Sequence, residues 1–324
     1  MEEEAEGESI SEALQEELNE QIEAVPEADK KYSCVRDNDT YEPIVANPDD
    51  LSSYNNVRNT VASSITGISR ALDQALRVLT RSKKVRFMPR GKLDTSRLVA
   101  VAKGLDKRVF YRKEEGEKLD TVIGIIVDES GSMGRRIYDM QQLIAALGET
   151  LDKIGVKFEV IGSTTKYFYG DIPAKLTKLH KEGYDRTNPL RFKIYKTFGE
   201  QWNKTKSRIT HMSSHKHNVD CEAVELMAKR LATRSEKRKI IFSLSDGRPD
   251  AGHDNSAVMG RFLKHVCARA RQSGIEVYGF GVGTTEPERY YGKEHFIYLE
   301  KVEEMGHKFF RKFADIVTSG RFKA

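Results

Sequence analysis

Residues 121–127 form a nearly continuous apolar run that ends at an acidic residue, Asp128. A half-buried strand would alternate apolar and polar residues, and this run does not. It is typical of a strand buried on both faces, as in a parallel sheet with helices on either side. The run therefore predicts an α/β domain with Asp128 at the carboxyl end of a central strand.

Segments of two periodicities alternate over the rest of the chain. Apolar runs predict strands at 121–127, 156–163, 239–244, 275–282 and 296–299. Apolar residues three and four positions apart predict helices at 137–154, 221–231, 256–273 and 302–317. Strands that alternate with helices predict a doubly wound, mostly parallel α/β sheet with right-handed crossovers.

The composition divides the chain into three parts. Residues 1–50 are acidic and contain Pro and turn-forming residues, so we predict a largely disordered tail. Residues 51–118 are predicted to be a helical arm with one long helix at 52–81, a second at 93–102, and a lead-in strand at 108–113. Residues 119–320 are the α/β domain, with a basic insertion at about 164–218 that is too long for an ordinary connection.

The formal net charge of +5 is unevenly distributed. Residues 1–29 contain 12 Asp and Glu and neither Lys nor Arg, so the remainder carries 54 Lys and Arg against 37 Asp and Glu, a net charge of +17. A basic body with an acidic tail fits a nucleic-acid surface, an acidic protein partner, or a tail that screens its own body. A solvated charge run that only aids solubility is the remaining alternative.

Two strand ends carry side chains suited to a metal ion. Asp128, Ser130 and Ser132 occupy alternate positions in a glycine-containing loop, and Asp246 follows a second buried strand. Ligands bind open parallel sheets beyond the carboxyl ends of the strands. Because carboxylate and hydroxyl oxygens suit hard divalent cations, the pattern predicts a Mg²⁺ site there. A plain turn with a helix cap is the alternative.

These residues resemble the metal-ion-dependent adhesion site (MIDAS) of a von Willebrand factor A (vWA) domain. Four ordered blocks, at 121–133, 155–162, 218–224 and 238–249, further resemble the C-terminal vWA domain of the cobaltochelatase subunit CobT. By this resemblance Asp220 is a further metal ligand, beside the alternative of a helix N-cap. Cys221 stands where the family usually has glycine. The resemblance implies a doubly wound vWA fold and Mg²⁺, or another hard divalent cation, at the MIDAS.

The resemblance also implies partners. CobT proteins act with an AAA+ ATPase, CobS, and a large corrin-binding subunit, CobN, in ATP-driven cobalt insertion. The chain would then be a non-ATPase subunit of a cobaltochelatase-type ring complex, with no catalytic residue of its own. The region before the vWA domain is shorter than in CobT, so the alternative is a non-enzymatic adapter that couples a CobS-like or MoxR-like AAA+ ATPase to another protein target.

Other features narrow the function. No Gly-x-x-x-x-Gly-Lys-Ser/Thr run is present, so we do not expect nucleotide hydrolysis. The three cysteines form no CxxC pair, and no long apolar run occurs, so we predict a cytoplasmic protein that does not span a membrane.

Two further patterns are candidate ligand sites. His211, His215 and His217 could bind zinc or cobalt, although surface histidines are the preferred interpretation. The insertion mixes aromatic residues with Lys and Arg, which is typical of single-strand-binding surfaces. Nucleic acid is therefore a third, less favoured partner, and aromatic residues packed on the sheet are the alternative.

Overall fold

The structure is a computed structural model of the 324-residue chain. It describes residues 31–33, 38–80, 83–88, 90–93, 95, 110–114, 119–167, 184–186, 188–251, 256–300 and 307–319. The strands are β1 Lys31–Ser33, β2 Thr40–Pro43, β3 Lys83–Met88, β4 Lys92–Leu93, β5 Phe110–Glu114, β6 Thr121–Asp128, β7 Lys157–Thr165, β8 Tyr184–Arg186, β9 Leu190–Lys196, β10 Arg238–Ser245, β11 Ile275–Val282 and β12 Phe296–Leu299. The α-helices are α1 Asp50–Thr60, α2 Ala62–Thr80, α3 Ile137–Lys153, α4 Trp202–Thr205, α5 Asp220–Ala232, α6 Ser256–Gln272, α7 Glu288–Tyr291 and α8 His307–Ser319.

The chain divides into two compact units. The first takes its described residues from 1–67 and 120–309, and the second takes its own from 68–119 and 310–324. In the second unit the described strands β3, β5 and β4 pair antiparallel in that order.

Seven of the described strands form the central sheet of the first unit, in the order β12-β11-β10-β6-β7-β9-β2. The strands from β12 to β7 are parallel, β9 is antiparallel to β7, and β2 is parallel to β9. The prediction of a doubly wound, mostly parallel α/β sheet is therefore confirmed.

Alternate residues of β6 face opposite sides of the sheet, and all eight are buried. On one side Val122 and Ile126 pack with α5 and α6 in one apolar cluster. On the α3 side of the unit, Trp202 packs edge-on against Tyr54 of α1 and lies against the ring of Phe158 in β7. Apolar contacts on both faces explain why β6 lacks a polar alternation.

The helical arm differs from the prediction of one long helix at 52–81. The chain forms α1 and α2, and Val61 interrupts them with φ −105° and ψ 16°. The Thr60 hydroxyl donates to the Val57 carbonyl at 2.6 Å and accepts from Gln142 Nε2 at 3.0 Å. A hydroxyl that binds the preceding turn competes with regular helix geometry, so the periodic pattern continues while the helix breaks.

The acidic N-terminal part and the insertion both supply strands. Within residues 1–50, predicted as a largely disordered tail, β2 forms an edge of the described sheet and β1 pairs with β8. Within 164–218, β9 enters the sheet beside β7. The inserted segment therefore supplies a strand of the central sheet, β9, which runs antiparallel to β7.

Smaller predictions had mixed outcomes. Leu93 lies in β4 and not at the start of a helix, while residues 96–102 of that predicted helix lie outside the described residues. The predicted closing helix at 302–317 is observed from His307, and 301–306 lie outside the described residues. In the described part of the chain, no helix combines the length and apolar character needed to cross a membrane.

Candidate metal centre

The candidate site lies where β6, β10 and α5 meet. Asp128 is the last residue of β6, Asp246 directly follows β10, and Asp220 is the first residue of α5. Because β6 and β10 are parallel neighbours, their carboxyl ends lie side by side. The structure thus brings together Asp128 and Asp246, which are far apart in sequence, at one edge of the sheet.

A row of hydrogen-bonded oxygens links the loop after β6 to Asp246. Ser130 Oγ and Ser132 Oγ are 3.0 Å apart, and Ser132 Oγ donates to Asp246 Oδ1 at 2.8 Å. Ser132 is exposed and Ser130 is buried. The alternate spacing of the two serines therefore brings their hydroxyls into contact, and Ser132 also reaches Asp246.

The Asp128 carboxylate is held from several directions. Oδ1 accepts from the Ser130 backbone N–H at 2.8 Å. Oδ2 accepts from Asn218 Nδ2 at 2.7 Å and from Ser245 Oγ at 3.0 Å. Burial and the neighbouring Asp220 nevertheless raise the pKa of Asp128 well above its usual value. A nearby cation would favour the charged form of this carboxylate.

Asp220 lies behind the same site and is only 1% exposed. Burial raises its pKa to about 7, the charge of Asp246 adds to the rise, and hydrogen bonds with Asn218 and Ser245 oppose it. Its Oδ1 atom is buried and has no hydrogen-bond partner among the described residues. An unpartnered buried carboxylate oxygen is costly unless a ligand or ion satisfies it.

The donor set fits a hard divalent cation only if hydroxyls take part. In the described ranges, no group of three or more His, Cys, Asp or Glu side chains is arranged to hold a metal ion. The hydroxyls of Ser130 and Ser132 add the oxygens that the carboxylates lack. Mg²⁺ is commonly held by few protein oxygens and retains several waters, so this sparse set suits it.

The loop backbone approaches a second loop closely. The Gly131 N–H donates to the Lys216 carbonyl at 3.1 Å, and a Cβ at Gly131 would lie 3.3 Å from that oxygen. The His215 N–H donates to the Glu129 carbonyl at 2.6 Å. A side chain at residue 131 would therefore crowd the Lys216 carbonyl, and glycine avoids this.

The sequence reasoning did not identify the support around Glu129. This buried carboxylate accepts from Lys193 Nζ at 2.6 Å and from the Tyr195 hydroxyl, both on β9. Burial raises the pKa of Glu129, and Lys193 opposes that rise. No sequence signal pairs Glu129 with Lys193, because the contact depends on β9 lying beside β7.

Arg136 was also missed, although it lies four residues after Ser132. Its Nη1 is 3.5 Å from Asp246 Oδ2, and its Nη2 donates to the Gly283 carbonyl at 3.3 Å. A cation therefore already faces the outermost carboxylate of the site. It would compete with a bound metal ion for Asp246.

The histidine cluster does not form a common site. His211 contacts Asp50 Oδ2 at 2.7 Å, His215 contacts Ser213 Oγ at 3.1 Å, and His217 lies 3.5 Å from Asp250 Oδ2. The three rings thus have three separate partners. This favours the interpretation as surface histidines over a zinc or cobalt site.

The described aromatic residues of the insertion are largely packed inside the unit. Phe192, Tyr195 and Trp202 are buried, whereas Tyr167 is 61% exposed. Bases stack on exposed rings, so the buried rings cannot serve a nucleic acid. For these three residues, the alternative of aromatic rings packed inside the domain is therefore correct.

Comparisons with known proteins point to one family. The model of the family described as "Cobalamin biosynthesis protein CobT VWA domain" matches residues 109–319. The chain is 24% identical over 253 residues to the uncharacterized protein YojO of Bacillus subtilis (strain 168). The match covers 76% of this chain and 36% of YojO. The chain thus spans about a third of the length of this relative.

Solved structures with a similar fold include two vWA proteins. A von Willebrand factor type A protein from Catenulispora acidiphila has 14% identity and a TM-score of 0.41, and the match covers 64% of this chain and 44% of that one. The vWF domain of the type V pili tip protein Mfa5 from Porphyromonas gingivalis has 10% identity and a TM-score of 0.43. That match covers 64% of this chain and 98% of the Mfa5 domain.

Proposed function

Because this chain belongs to the family of the cobalamin biosynthesis protein CobT VWA domain, we propose that it is an adapter subunit that binds a protein partner through a divalent metal ion. The metal centre comprises Asp128, Ser130, Ser132, Asp220 and Asp246. One observation carries the proposal: hydroxyl and carboxylate oxygens converge at the strand ends, with the buried Asp220 Oδ1 left without a hydrogen-bond partner among the described residues.

The roles of the five residues follow from their burial and contacts. Ser130 and Ser132 would hold the ion through their hydroxyl oxygens, and the carboxylates would balance its charge. Bound Mg²⁺ would supply a positive centre with an open position for a carboxylate of the partner. Asn218 and Ser245 keep Asp128 oriented by donating hydrogen bonds to its Oδ2 atom.

The exposed position of Ser132 makes the centre accessible from outside the domain. A partner's Asp or Glu could approach there, while Asp128 and Asp220 remain buried behind it. Nothing in this arrangement resembles a nucleophile with its base, so the proposed role is binding and not catalysis. Metal-dependent docking of an acidic residue accounts for the row of hydroxyls without a reaction.

The family membership makes an AAA+ ATPase of the CobS or MoxR type the first candidate partner. On that proposal the chain transmits ATP-driven work to a target, and a CobN-type subunit that receives cobalt is the first candidate target. The alternative is an adapter that couples the ATPase to another protein target. Either role would use the same metal centre and would place the protein in a ring complex of the cytoplasm.

Calorimetric titration with Mg²⁺ and Mn²⁺ tests the metal centre directly. We expect the full chain to bind either ion and Ser132→Ala to bind at least about tenfold more weakly, a loss of about 1.4 kcal/mol. Ser235→Ala is the matched control, because Ser235 is exposed and precedes β10 at the opposite edge of the sheet. Equal affinity in the Ser132 and Ser235 variants would contradict the assignment.

A pulldown from the native cell tests the partners. The tagged chain is used with Mg²⁺ and ATP, then with chelator, and then as Ser132→Ala. Recovery of an AAA+ ATPase only with metal and intact Ser132 is the expected result. A co-purifying tetrapyrrole-binding subunit would favour cobalt insertion. Equal recovery of the ATPase with chelator and with Ser132→Ala would refute the metal-dependent adapter.

A further inference from the structure

The N-terminal end of β2 lies at the same edge of the sheet as the metal centre. β9 is antiparallel to β7, and β2 is parallel to β9, so β2 begins where β6 ends. The strand register aligns four residues in one row across the sheet: Asp128, Ser163, Phe192 and Tyr41. Three strand spacings of about 4.8 Å place Tyr41 roughly 14 Å from Asp128.

The start of β2 is anchored at this edge. Asp39 accepts hydrogen bonds from the buried guanidinium of Arg186 at 2.6 and 2.8 Å, and its Oδ1 accepts from the Leu190 N–H at 2.7 Å. The chain before residue 39 is therefore tethered beside the metal centre. The three residues that form this anchor, Asp39, Arg186 and Leu190, all belong to the described ranges.

Four cations border the metal centre, and we call them the basic rim: Arg135, Arg136, Lys216 and Arg248. Arg135 and Arg136 directly follow the serine loop, and Arg248 lies two residues after Asp246. The Lys216 carbonyl accepts from Gly131 within the loop. Arg135 and Arg248 are exposed, whereas the Asp246 side chain is 6% exposed. The Asp250 side chain is 46% exposed beside Asn218 and lies 3.5 Å from His217, so the four cations face one accessible carboxylate here.

The chain contains a segment of matching charge. Residues 1–29 carry 12 carboxylates and neither Lys nor Arg, and they lie outside the described residues. The segment ends just before β1, which pairs with β8, and Arg186 of β8 binds Asp39 at the start of β2. An extended chain spans about 3.3 Å per residue, so a carboxylate ten residues before β1 has a reach of about 33 Å. This reach exceeds the roughly 14 Å between Tyr41 and Asp128.

We propose that the acidic segment 1–29 is an intramolecular ligand of the metal centre, with one of its carboxylates on the metal ion and others on the basic rim. The proposal rests on the proposed metal-dependent adapter function and names a competitor for its binding site. The segment would hold the site until a partner with a stronger acidic motif displaces it. Activation of the adapter is then a competition between two acidic ligands.

A tethered ligand competes strongly because its effective concentration is in the millimolar range for a short flexible connection. If the segment alone binds with a dissociation constant of about 0.1 mM, it weakens binding of a free competitor by roughly tenfold. This sets the size of the expected effect. High salt reduces it, because exposed charges are screened.

The experiment measures binding of a fluorescent peptide with the sequence of residues 1–30 to the full chain in Mg²⁺. In the test variant, all 12 acids of residues 1–29 are replaced by their amides. In the matched control, Ala replaces five uncharged polar residues of the same segment: Ser9, Ser11, Gln15, Asn19 and Gln21. We expect the amide variant to bind the peptide about tenfold more tightly than the wild type, and the control variant to match the wild type.

Substitutions in the domain identify the surface. In the amide-variant background, Ser132→Ala or chelator should reduce peptide binding at least tenfold, and Arg135→Glu with Arg248→Glu, at two exposed residues, should reduce it further. Lys237→Glu, an exposed residue next to the start of β10 at the other edge, is the charge control and should change nothing. Peptide binding that persists in chelator would overturn the metal contact.

Three outcomes would overturn the proposal while sparing the adapter function. They are equal peptide affinity in wild type and amide variant, no peptide binding to a chain that does bind Mn²⁺, and a difference that grows with protein concentration. The last outcome would assign the segment to a second copy of the chain. Absence of Mn²⁺ binding in every variant would instead refute the proposed function itself.

Discussion

Lys193 Nζ donates a 2.6 Å hydrogen bond to Glu129 Oε2, and both side chains are buried beneath the loop that carries the metal-centre serines. Lys193 also donates to Ser213 Oγ at 2.8 Å. The ion pair thus joins the serine loop, the inserted strand β9 and the segment near His215. The loop that carries the metal site is therefore supported by a strand outside the recognisable motif.

Lys193→Met should destabilise the fold by about 3 kcal/mol, because it leaves the Glu129 carboxylate buried without its cation. Chemical denaturation of the full chain measures this change. Arg289→Ala is the control: it removes the exposed ion pair with Glu286, and exposed pairs contribute about 0–1 kcal/mol. Equal losses in the two variants would show that the buried pair has no special role.

Gly162→Ala should also destabilise the protein, by about 1–3 kcal/mol. A Cβ at residue 162 would collide with the Glu129 carboxylate and approach the Tyr195 ring. Gly199→Ala is the matched control, since nothing lies within 4 Å of its added Cβ. Thermal unfolding compares the two, and an unchanged midpoint for Gly162→Ala would mean that Glu129 can move aside freely.

Stability should rise with pH above about pH 8 because of Lys196. Burial lowers the pKa of this ammonium to about 8, against the opposing charges of Asp152, Glu200 and Glu159. The unfolded chain, with the ordinary lysine pKa near 10.5, binds more protons than the folded chain between about pH 8 and 10.5. The free energy of unfolding therefore increases with pH across that window.

Lys196→Met isolates this contribution from other groups that titrate at alkaline pH. Denaturation is measured from pH 7 to 10 in both proteins, and the stability of the wild type relative to the variant should increase as pH rises. In the wild type, Lys196 Nζ donates to the Phe158 carbonyl at 2.7 Å and lies 4.2 Å from the centroid of the Phe158 ring. A pH-independent difference would mean that these contacts keep the pKa of Lys196 near its ordinary value.

Arg136→Ala should strengthen Mg²⁺ binding by about two- to tenfold. The guanidinium faces Asp246 at 3.5 Å, so it both occupies that carboxylate and repels an incoming cation. Arg135→Ala removes an adjacent exposed cation and should have the smaller effect. Calorimetry at low salt measures both, and weaker binding in Arg136→Ala would show that the arginine supports the site.

Residues 38–50 should be needed for stability, even though their composition resembles a tail. Asp39→Asn weakens a charged hydrogen-bond pair with Arg186, whose side chain also contacts Glu222 at 2.7 Å in a fully buried position. We expect a loss of about 1–3 kcal/mol in chemical denaturation. Asp49→Asn, at the start of α1, is the control and should be near neutral.

The bounds of the parallel strands near the end of the α/β domain could be predicted closely from the sequence. The predicted strand at 275–282 coincides with β11, and the predicted strand at 296–299 coincides with β12. Periodicity locates these elements because burial on both faces leaves a continuous apolar run. The strand at 184–186 and the edge strand β2 carry no such run, so their existence became evident only from pairing.

The candidate site was predictable where its residues lie in local motifs. Asp128, Ser130 and Ser132 lie within five residues of one another, so their convergence needs only one loop. Asn218 and Ser245 lie in two of the blocks that resemble the family, but the sequence did not predict that they hold Asp128. Their role depends on the distance between two strand ends and a helix start.

The sequence by itself determined the α/β class, the family and the oxygen-bearing loop, because these depend on periodicity and on spacing within short segments. Only the tertiary structure decided that β9 and β2 complete the sheet, that Lys193 neutralises Glu129, and that Arg136 faces Asp246. These relationships join residues that are remote in the chain. They follow from the order and direction of strands, which side-chain patterns within a single segment do not specify.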